Sequence, residues 1–126
     1  MTTIALAHVN LRAGPAAIEQ LRAFYCDVLG LTVGDRPNFA LSGYWLYAGG
    51  RDVIHLVADD ESASRNSGES TFHHTAYECT DRPAFEKRLA ERRIPHHVAQ
   101  VPGRPIVQIF LQDPAGNGVE LTFREG

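Results

Sequence analysis

The chain has 126 residues, a formal net charge of −3 and the hydrophobic fraction of an ordinary globular protein. The acidic balance argues against nucleic acid as a partner, because no basic field would attract phosphates. The sequence has no apolar run of about 18 residues and no signal-peptide pattern, so we expect a cytoplasmic protein that does not bind membranes.

The first half of the chain predicts a strand, a helix and three further strands. The opening strand is predicted over residues 4–11 and carries His8 in its middle. Apolar residues then recur every three or four positions, which indicates an amphipathic helix that begins near Pro15 and ends at a left-handed cap on Gly30. Strands are predicted to start at residue 31 and to span residues 43–48 and 52–58, with a glycine turn joining the last two.

The second half repeats this plan. Residues 59–71 are polar and predict a linker. A strand over 72–79 carries His74, and a helix capped near Asp81 follows it. Strands are then predicted over 97–101, 106–112 and 118–123. We therefore predict an α+β protein of two βαβββ modules, residues 1–58 and 72–126, which pack as one compact domain.

Four side chains that can bind a metal occupy matched positions in this repeat. His55 follows His8 by 47 residues in the first half, and Glu120 follows His74 by 46 residues in the second. Because alternate side chains of a strand share a face, His55 and Glu120 should point away from the apolar neighbours that the helices cover. By the same rule His73 should point away from His74 and have a structural role.

These four residues predict one divalent-metal site. A single histidine in an apolar strand is more often a core residue, but four candidates at matched positions favour a metal. Imidazole and carboxylate donors suit Zn, Ni, Fe, Mn or Co. The candidate metal ligands are His8, His55, His74 and Glu120. Residues expected to face the same cavity are candidates for substrate binding, namely Asn10, Trp45, Gln108 and Phe110.

Four segments of the chain have a distinctive pattern, namely His8-Val9-Asn10-Leu11, Phe24-Tyr25-x-x-Val28-Leu29-Gly30-Leu31, His74-x-Ala76-Tyr77 and Asp113-Pro114-x-Gly116-Asn117-x-x-Glu120-Leu121. In these segments the chain resembles the vicinal oxygen chelate superfamily, which includes glyoxalase I, fosfomycin-resistance transferases, extradiol dioxygenases and bleomycin-resistance proteins. The resemblance covers nearly the whole chain.

The resemblance implies a glyoxalase-like fold, in which paired βαβββ modules form a curved, partly open mixed sheet around a metal. It also implies that His8, His74 and Glu120 are ligands, while His55 stands where glyoxalase I-like members carry a glutamate. The shared chemistry is chelation of two adjacent substrate oxygens, with Glu120 as the natural catalytic base. A two-fold homodimer is implied as well.

These observations together predict a metal-dependent enzyme that acts on a small molecule with adjacent oxygens, as a glyoxalase I-like lyase or isomerase. One alternative is a metal-dependent dioxygenase or a transferase that modifies thiols or antibiotics. The extradiol pattern expects a histidine and a tyrosine before the Asp-Pro turn, where this chain has Gln108, Phe110 and Gln112. The other alternative is a metal-free protein that binds a drug or metabolite, like the bleomycin-resistance proteins.

Overall fold

The structure, a computed structural model, describes residues 1–59 and 71–125. Contacts divide the chain into two compact units, Met1–Ser64 and Arg65–Gly126. Each unit has the predicted βαβββ order and contains one open, mixed four-stranded sheet. Most of the predicted linker falls on residues 60–70, which lie outside the described residues, so the proposed domain boundaries stay a prediction. No helix in the described parts of the chain is long and apolar enough to span a membrane.

The first unit consists of β1 (Val9–Ala13), α1 (Pro15–Asp27), β2 (Thr32–Gly34), β3 (Gly43–Ala48) and β4 (Arg51–Ala58). The strand order in its sheet is β1-β4-β3-β2, in which β1 runs parallel to β4 and the other pairs are antiparallel. The helix begins at Pro15 as predicted. Gly30 has a φ of 82°, and the Leu31 N–H donates to the Tyr25 carbonyl, so the predicted left-handed cap is confirmed.

The opening strand is shorter than predicted. It begins at Val9 rather than at residue 4, and the preceding residues are exposed and lack regular structure. Ile4 and Leu6 suggested a strand, yet their side chains are 94% and 76% exposed because nothing in the described chain packs against them. His8 therefore lies immediately before β1 and not in the middle of a strand.

Helix α1 covers one face of the first sheet. It contacts β1, β3 and β4, and the side chains of Leu46 in β3 and of Ile54 and Leu56 in β4 are fully buried. The buried core comprises Ile18, Leu21, Phe24, Tyr25, Leu46, Ile54 and Leu56. The alternation rule predicted this placement of Ile54 and Leu56, and it leaves His55 on the opposite face of the sheet.

The second unit consists of β5 (His74–Cys79), α2 (Arg82–Glu91), β6 (His97–Gln100), β7 (Ile106–Gln112) and β8 (Gly118–Arg124). Its strand order is β5-β8-β7-β6, and β5 runs parallel to β8. The Asp81 carboxylate accepts a hydrogen bond from the Ala84 N–H and caps α2 as predicted. The core under α2 includes Phe85, Leu89, Ile109, Val119, Leu121 and Phe123.

Candidate metal-binding residues and adjoining clefts

In the first unit, His55 lies in a stack of three aromatic rings. Strand pairing places it between Asn10 of β1 and Trp45 of β3. The Trp45 ring lies parallel to His55 with centroids 4.1 Å apart, and the His8 ring covers the other face at 3.7 Å. His55 is 8% exposed, whereas His8 is exposed. The fold thus brings together the two histidines predicted from the first half of the repeat.

A third polar group, the carboxylate of Asp52, joins this pair. Asp52 Oδ2 lies 2.7 Å from His55 Nε2, and this hydrogen bond lowers the pKa of the Asp52 carboxyl below its ordinary value. If the carboxylate accepts the proton of Nε2, the lone pair of His55 lies on Nδ1. Asp52 was not among the predicted ligands, since it was placed at the start of the fourth strand, three residues before His55.

A bulge in β4 explains why alternation missed Asp52. Residues three apart on a regular strand point to opposite faces, so Asp52 and His55 should not meet. The pairing with β3 passes from Leu46 opposite Ile54 to Tyr47 opposite Asp52, which leaves Val53 without a partner on β3. The extra residue reverses the alternation and turns Asp52 to the face of His55.

The donor atoms of His8, Asp52 and His55 fit a divalent ion. One potential ligand atom from each lies within 4.8 Å of the others. Three ligands around a common ion, each at about 2.0–2.3 Å, lie about 3.3–4.0 Å from one another. Movements of at most about 0.5–0.8 Å would therefore bring this group to a common ion. Two imidazoles and one carboxylate also match the donor preferences of several transition metals.

In the second unit, His74 and Glu120 are in direct contact. The parallel pairing of β5 with β8 sets Glu120 opposite Ala76, and His74 Nε2 lies 3.2 Å from Glu120 Oε1. The Thr122 hydroxyl lies two residues further along the same face and donates to Glu120 Oε2 at 2.5 Å. Glu120 is 7% exposed, so both carboxylate oxygens are held in a largely buried position.

The tight turn before β8 fixes where the strand that carries Glu120 begins. Asp113 is 4% exposed, and its Oδ1 accepts hydrogen bonds of 2.9 Å from the Ala115 and Asn117 N–H groups. Its Oδ2 accepts a third from the Asn117 side-chain amide. The Asp113 carboxylate thus holds a tight turn from Asp113 to Asn117, and its hydrogen bonds explain the residue types that occur there.

The predicted direction of His73 was wrong, and its structural role stays a prediction. His73 Nδ1 lies 2.8 Å from His74 Nδ1, and the two rings meet edge to face. Strand β5 begins at His74, so strand alternation does not govern the direction of His73. One of these nitrogens must donate and the other accept, which couples the tautomers of the two rings.

Each unit also has a cleft beside its histidines. The cleft of the first unit has a volume of about 340 Å³ and is lined by Asn10, Arg12, Arg36, Phe39, Ala40, Leu41, Trp45, His55 and Val57. The cleft of the second unit has a volume of about 660 Å³, and its lining includes His73, His74, His96, His97 and Phe110. Three of the four predicted substrate-binding residues thus line a cleft. Gln108 is half-buried and lines neither of these two, and the binding role of all four stays a prediction.

The four predicted ligands therefore form two pairs, one in each unit. Within a unit, the contact between the two members arises from the parallel pairing of the first strand with the last. A single site that uses both pairs stays a prediction.

Comparisons with a family model and with solved structures found proteins that are similar to this chain. A family model described as the Glyoxalase/Bleomycin resistance protein/Dioxygenase superfamily matches residues 5–121. A search of curated protein sequences found no match.

Among solved structures, a protein from Bacillus anthracis assigned to the glyoxalase family shares 21% identity and superposes with a TM-score of 0.76, covering 99% of this chain and 98% of the other. Lactoylglutathione lyase from Agrobacterium tumefaciens shares 22% identity at a TM-score of 0.68, with 98% and 96% covered. A variant of the fosfomycin resistance protein FosX from Listeria monocytogenes, complexed with Mn(II) and 1S,2S-dihydroxypropylphosphonic acid, shares 15% identity at 0.71, with 99% and 94% covered.

These three likenesses bear on the fold, and the family model spans most of the chain. The chain therefore belongs to the Glyoxalase/Bleomycin resistance protein/Dioxygenase superfamily.

Proposed function

We propose that the protein is a divalent-metal-dependent enzyme of the vicinal oxygen chelate type, most simply a glyoxalase I-like lyase or isomerase. The observation that carries the proposal is the proximity of His8 and His55, since a potential ligand atom of each lies within 4.8 Å of the other and of the Asp52 carboxylate. The contact of His74 with Glu120 supplies a second set of donors with the same chemistry. The proposed ligands of one ion are His8, His55, His74 and Glu120, drawn from one chain or from two.

Asp52 has a supporting role in this proposal. A histidine that binds a metal usually donates its other ring N–H to a carboxylate or carbonyl, which fixes its tautomer and orientation. The hydrogen bond to Asp52 is of this kind and leaves Nδ1 of His55 as the donor atom. The two parallel rings against His55 restrict its rotation further.

Glu120 is the proposed catalytic base. A bound divalent ion supplies Lewis acidity, which lowers the cost of negative charge on a substrate oxygen. Glu120 would accept the proton from the carbon next to a substrate carbonyl through Oε1. The hydroxyl of Thr122 holds Oε2 and thereby orients the carboxylate. The histidines hold their positions and do not take up this proton.

Metal binding by untagged protein tests the proposal. Elemental analysis and calorimetric titration with Zn, Ni, Fe, Mn and Co should give one ion per pair of modules. Single substitutions of His8, His55 or His74 to alanine should weaken binding, whereas Glu91→Ala, which removes an exposed carboxylate outside both clefts, should not.

Proton exchange separates the base from the ligands. Metal-loaded protein should accelerate exchange of the proton next to a carbonyl in α-hydroxy ketones or in hemithioacetals of 2-oxoaldehydes, measured by NMR in deuterated water. Glu120→Gln should retain metal and lose about 10²–10⁴-fold in rate. Protein that binds none of these ions contradicts the proposal and favours a metal-free binding protein instead.

We also propose that the protein is a homodimer. Apolar side chains of the first eight residues, including Ile4 and Leu6, are exposed in the single chain and would gain from burial. Sedimentation at micromolar concentration should show twice the chain mass of 13.9 kDa. A species of single-chain mass under those conditions would rule the dimer out.

A further inference from the structure

The cleft of the first unit contains a cation without a counter-charge among the described residues. Arg36 lies in the loop between β2 and β3 and lines this cleft. Its Nη2 donates to the Leu41 carbonyl at 2.9 Å, and its guanidinium lies 4.9 Å from the centre of the Phe39 ring. Its Nε is buried and has no hydrogen-bond partner in the described chain. Of the buried side-chain nitrogens and oxygens that the structure describes, this is the one left unpaired.

An unpaired buried donor on a charged group is costly, because the group has lost its water and gained nothing in exchange. Arg12 lines the same cleft, but its Nη1 lies 3.8 Å from Asp59 Oδ2, which compensates its charge. Arg36 has no such partner among the described carboxylates. A negatively charged ligand that enters the cleft would supply a counter-charge to this guanidinium.

The rest of the cleft indicates what such a ligand looks like. A volume of about 340 Å³ suits a small organic molecule. Phe39, Leu41, Trp45 and Val57 provide an apolar wall, and His55 of the proposed metal site lies in the same lining. The planar guanidinium presents donors in a fork that matches the oxygens of a carboxylate or a phosphonate.

We propose that this cleft binds a small organic anion, with its carboxylate or phosphonate on Arg36 and its apolar part against Phe39 and Trp45. This inference rests on the proposed function in one respect. It assumes that the anionic group belongs to the substrate and that the reacting oxygens of the substrate lie near His55. The binding itself needs no metal. It is therefore tested on metal-free protein, where failure of the metal proposal has no influence on the result.

Tryptophan fluorescence measures ligand binding at this cleft. Trp45 is the only tryptophan of the chain and lines the cleft, so its fluorescence reports on this site. Protein kept in chelator is titrated with benzoate, with phenylphosphonate and with the neutral analogue benzamide. We expect saturable changes with one or both anions and at least about tenfold weaker binding of benzamide, given the strength of charge-assisted hydrogen bonds. The two anion arms decide between a carboxylate and a phosphonate ligand.

Variants assign the binding to Arg36. Arg36→Gln should weaken anion binding by about 10–100-fold, because it removes the charge and the fork. Arg36→Lys keeps the charge and should lose part of the affinity. It replaces the glutamine variant in the test if circular dichroism shows that the glutamine variant does not fold. Arg92→Gln changes the net charge equally at an exposed position of the second unit and should bind like the wild type.

Three results would overturn the inference. The first is benzamide binding as tightly as both anions. The second is equal loss of affinity in the Arg36 and Arg92 variants, which would mean that the anions respond to net charge alone. The third is no change in Trp45 fluorescence with any ligand up to about 100 mM, a concentration far above ordinary dissociation constants.

Discussion

Replacing Gly118 by alanine should damage both the second unit and its ligand pair. Gly118 lies opposite His74 in the parallel pairing of β5 with β8. A Cβ atom added there would lie 2.3 Å from the His73 carbonyl oxygen and 2.9 Å from His74 Cβ. Non-bonded heavy atoms settle at about 3.5 Å, so the backbone at His73 must move by about 1 Å.

The size of this movement sets the expected effects. Forcing an added methyl group into a packed site costs about 1–3 kcal/mol of unfolding free energy. The same shift carries the His74 ring away from Glu120, which it now contacts at 3.2 Å. A misplacement of 1 Å can cost about 10²-fold in function, so we expect metal affinity and turnover to fall by about 10–100-fold.

Urea unfolding and calorimetric metal titration measure the two effects separately. Gly103→Ala is the matched control, because Gly103 lies in the same unit with a φ of 73° and has no atom within 4 Å of an added Cβ. This control should lose about 1–2 kcal/mol through backbone strain and bind metal normally. The reasoning is refuted if Gly118→Ala has wild-type stability and metal affinity, or if the control loses metal affinity to the same extent.

Three further predictions follow from single side chains. Asp52→Asn should weaken metal binding, measured by calorimetry, by about 10–100-fold while the number of bound ions stays the same. Unchanged affinity would show that Asp52 does not orient His55. Leu89→Ala should lower the unfolding free energy by about 2–5 kcal/mol, because Leu89 is fully buried. Val98→Ala, at a 42% exposed position, should change it by at most about 0.5 kcal/mol. Equal losses in urea unfolding would contradict the packing of Leu89. Burial raises the pKa of the Cys79 thiol to about 11, so a thiol reagent at pH 8 should modify it far more slowly than in unfolded protein, and equal rates would show that the thiol is not protected.

Much of the fold was predictable because local signals agreed with one another. Strands β3 and β7 have the predicted bounds, and Pro15, Gly30 and Asp81 mark helix ends by their backbone chemistry. These signals depend on neighbours a few residues away. They hold whatever the rest of the chain does, which is why they can be interpreted correctly from the sequence.

The details that prediction missed depend on strand irregularities and on contacts between distant residues. The bulge at Val53 turns Asp52 towards His55, and no residue type at these positions indicates a bulge. The contact of His73 with His74 arises because β5 begins at His74, two residues later than predicted. The unpaired Nε of Arg36 depends on the path of a loop, which periodicity does not describe.

The parallel pairing of the first and last strands in each unit also bears on the order of folding. The hairpin of β3 and β4 closes through Gly49 and Gly50, and such local contacts form within about 1–10 μs. The contact of Asn10 with His55 must close a much longer loop, at a greater entropic cost. We therefore expect the hairpin of β3 and β4, which carries His55, to form first. His8 should reach His55 only in the last stage of folding of the first unit.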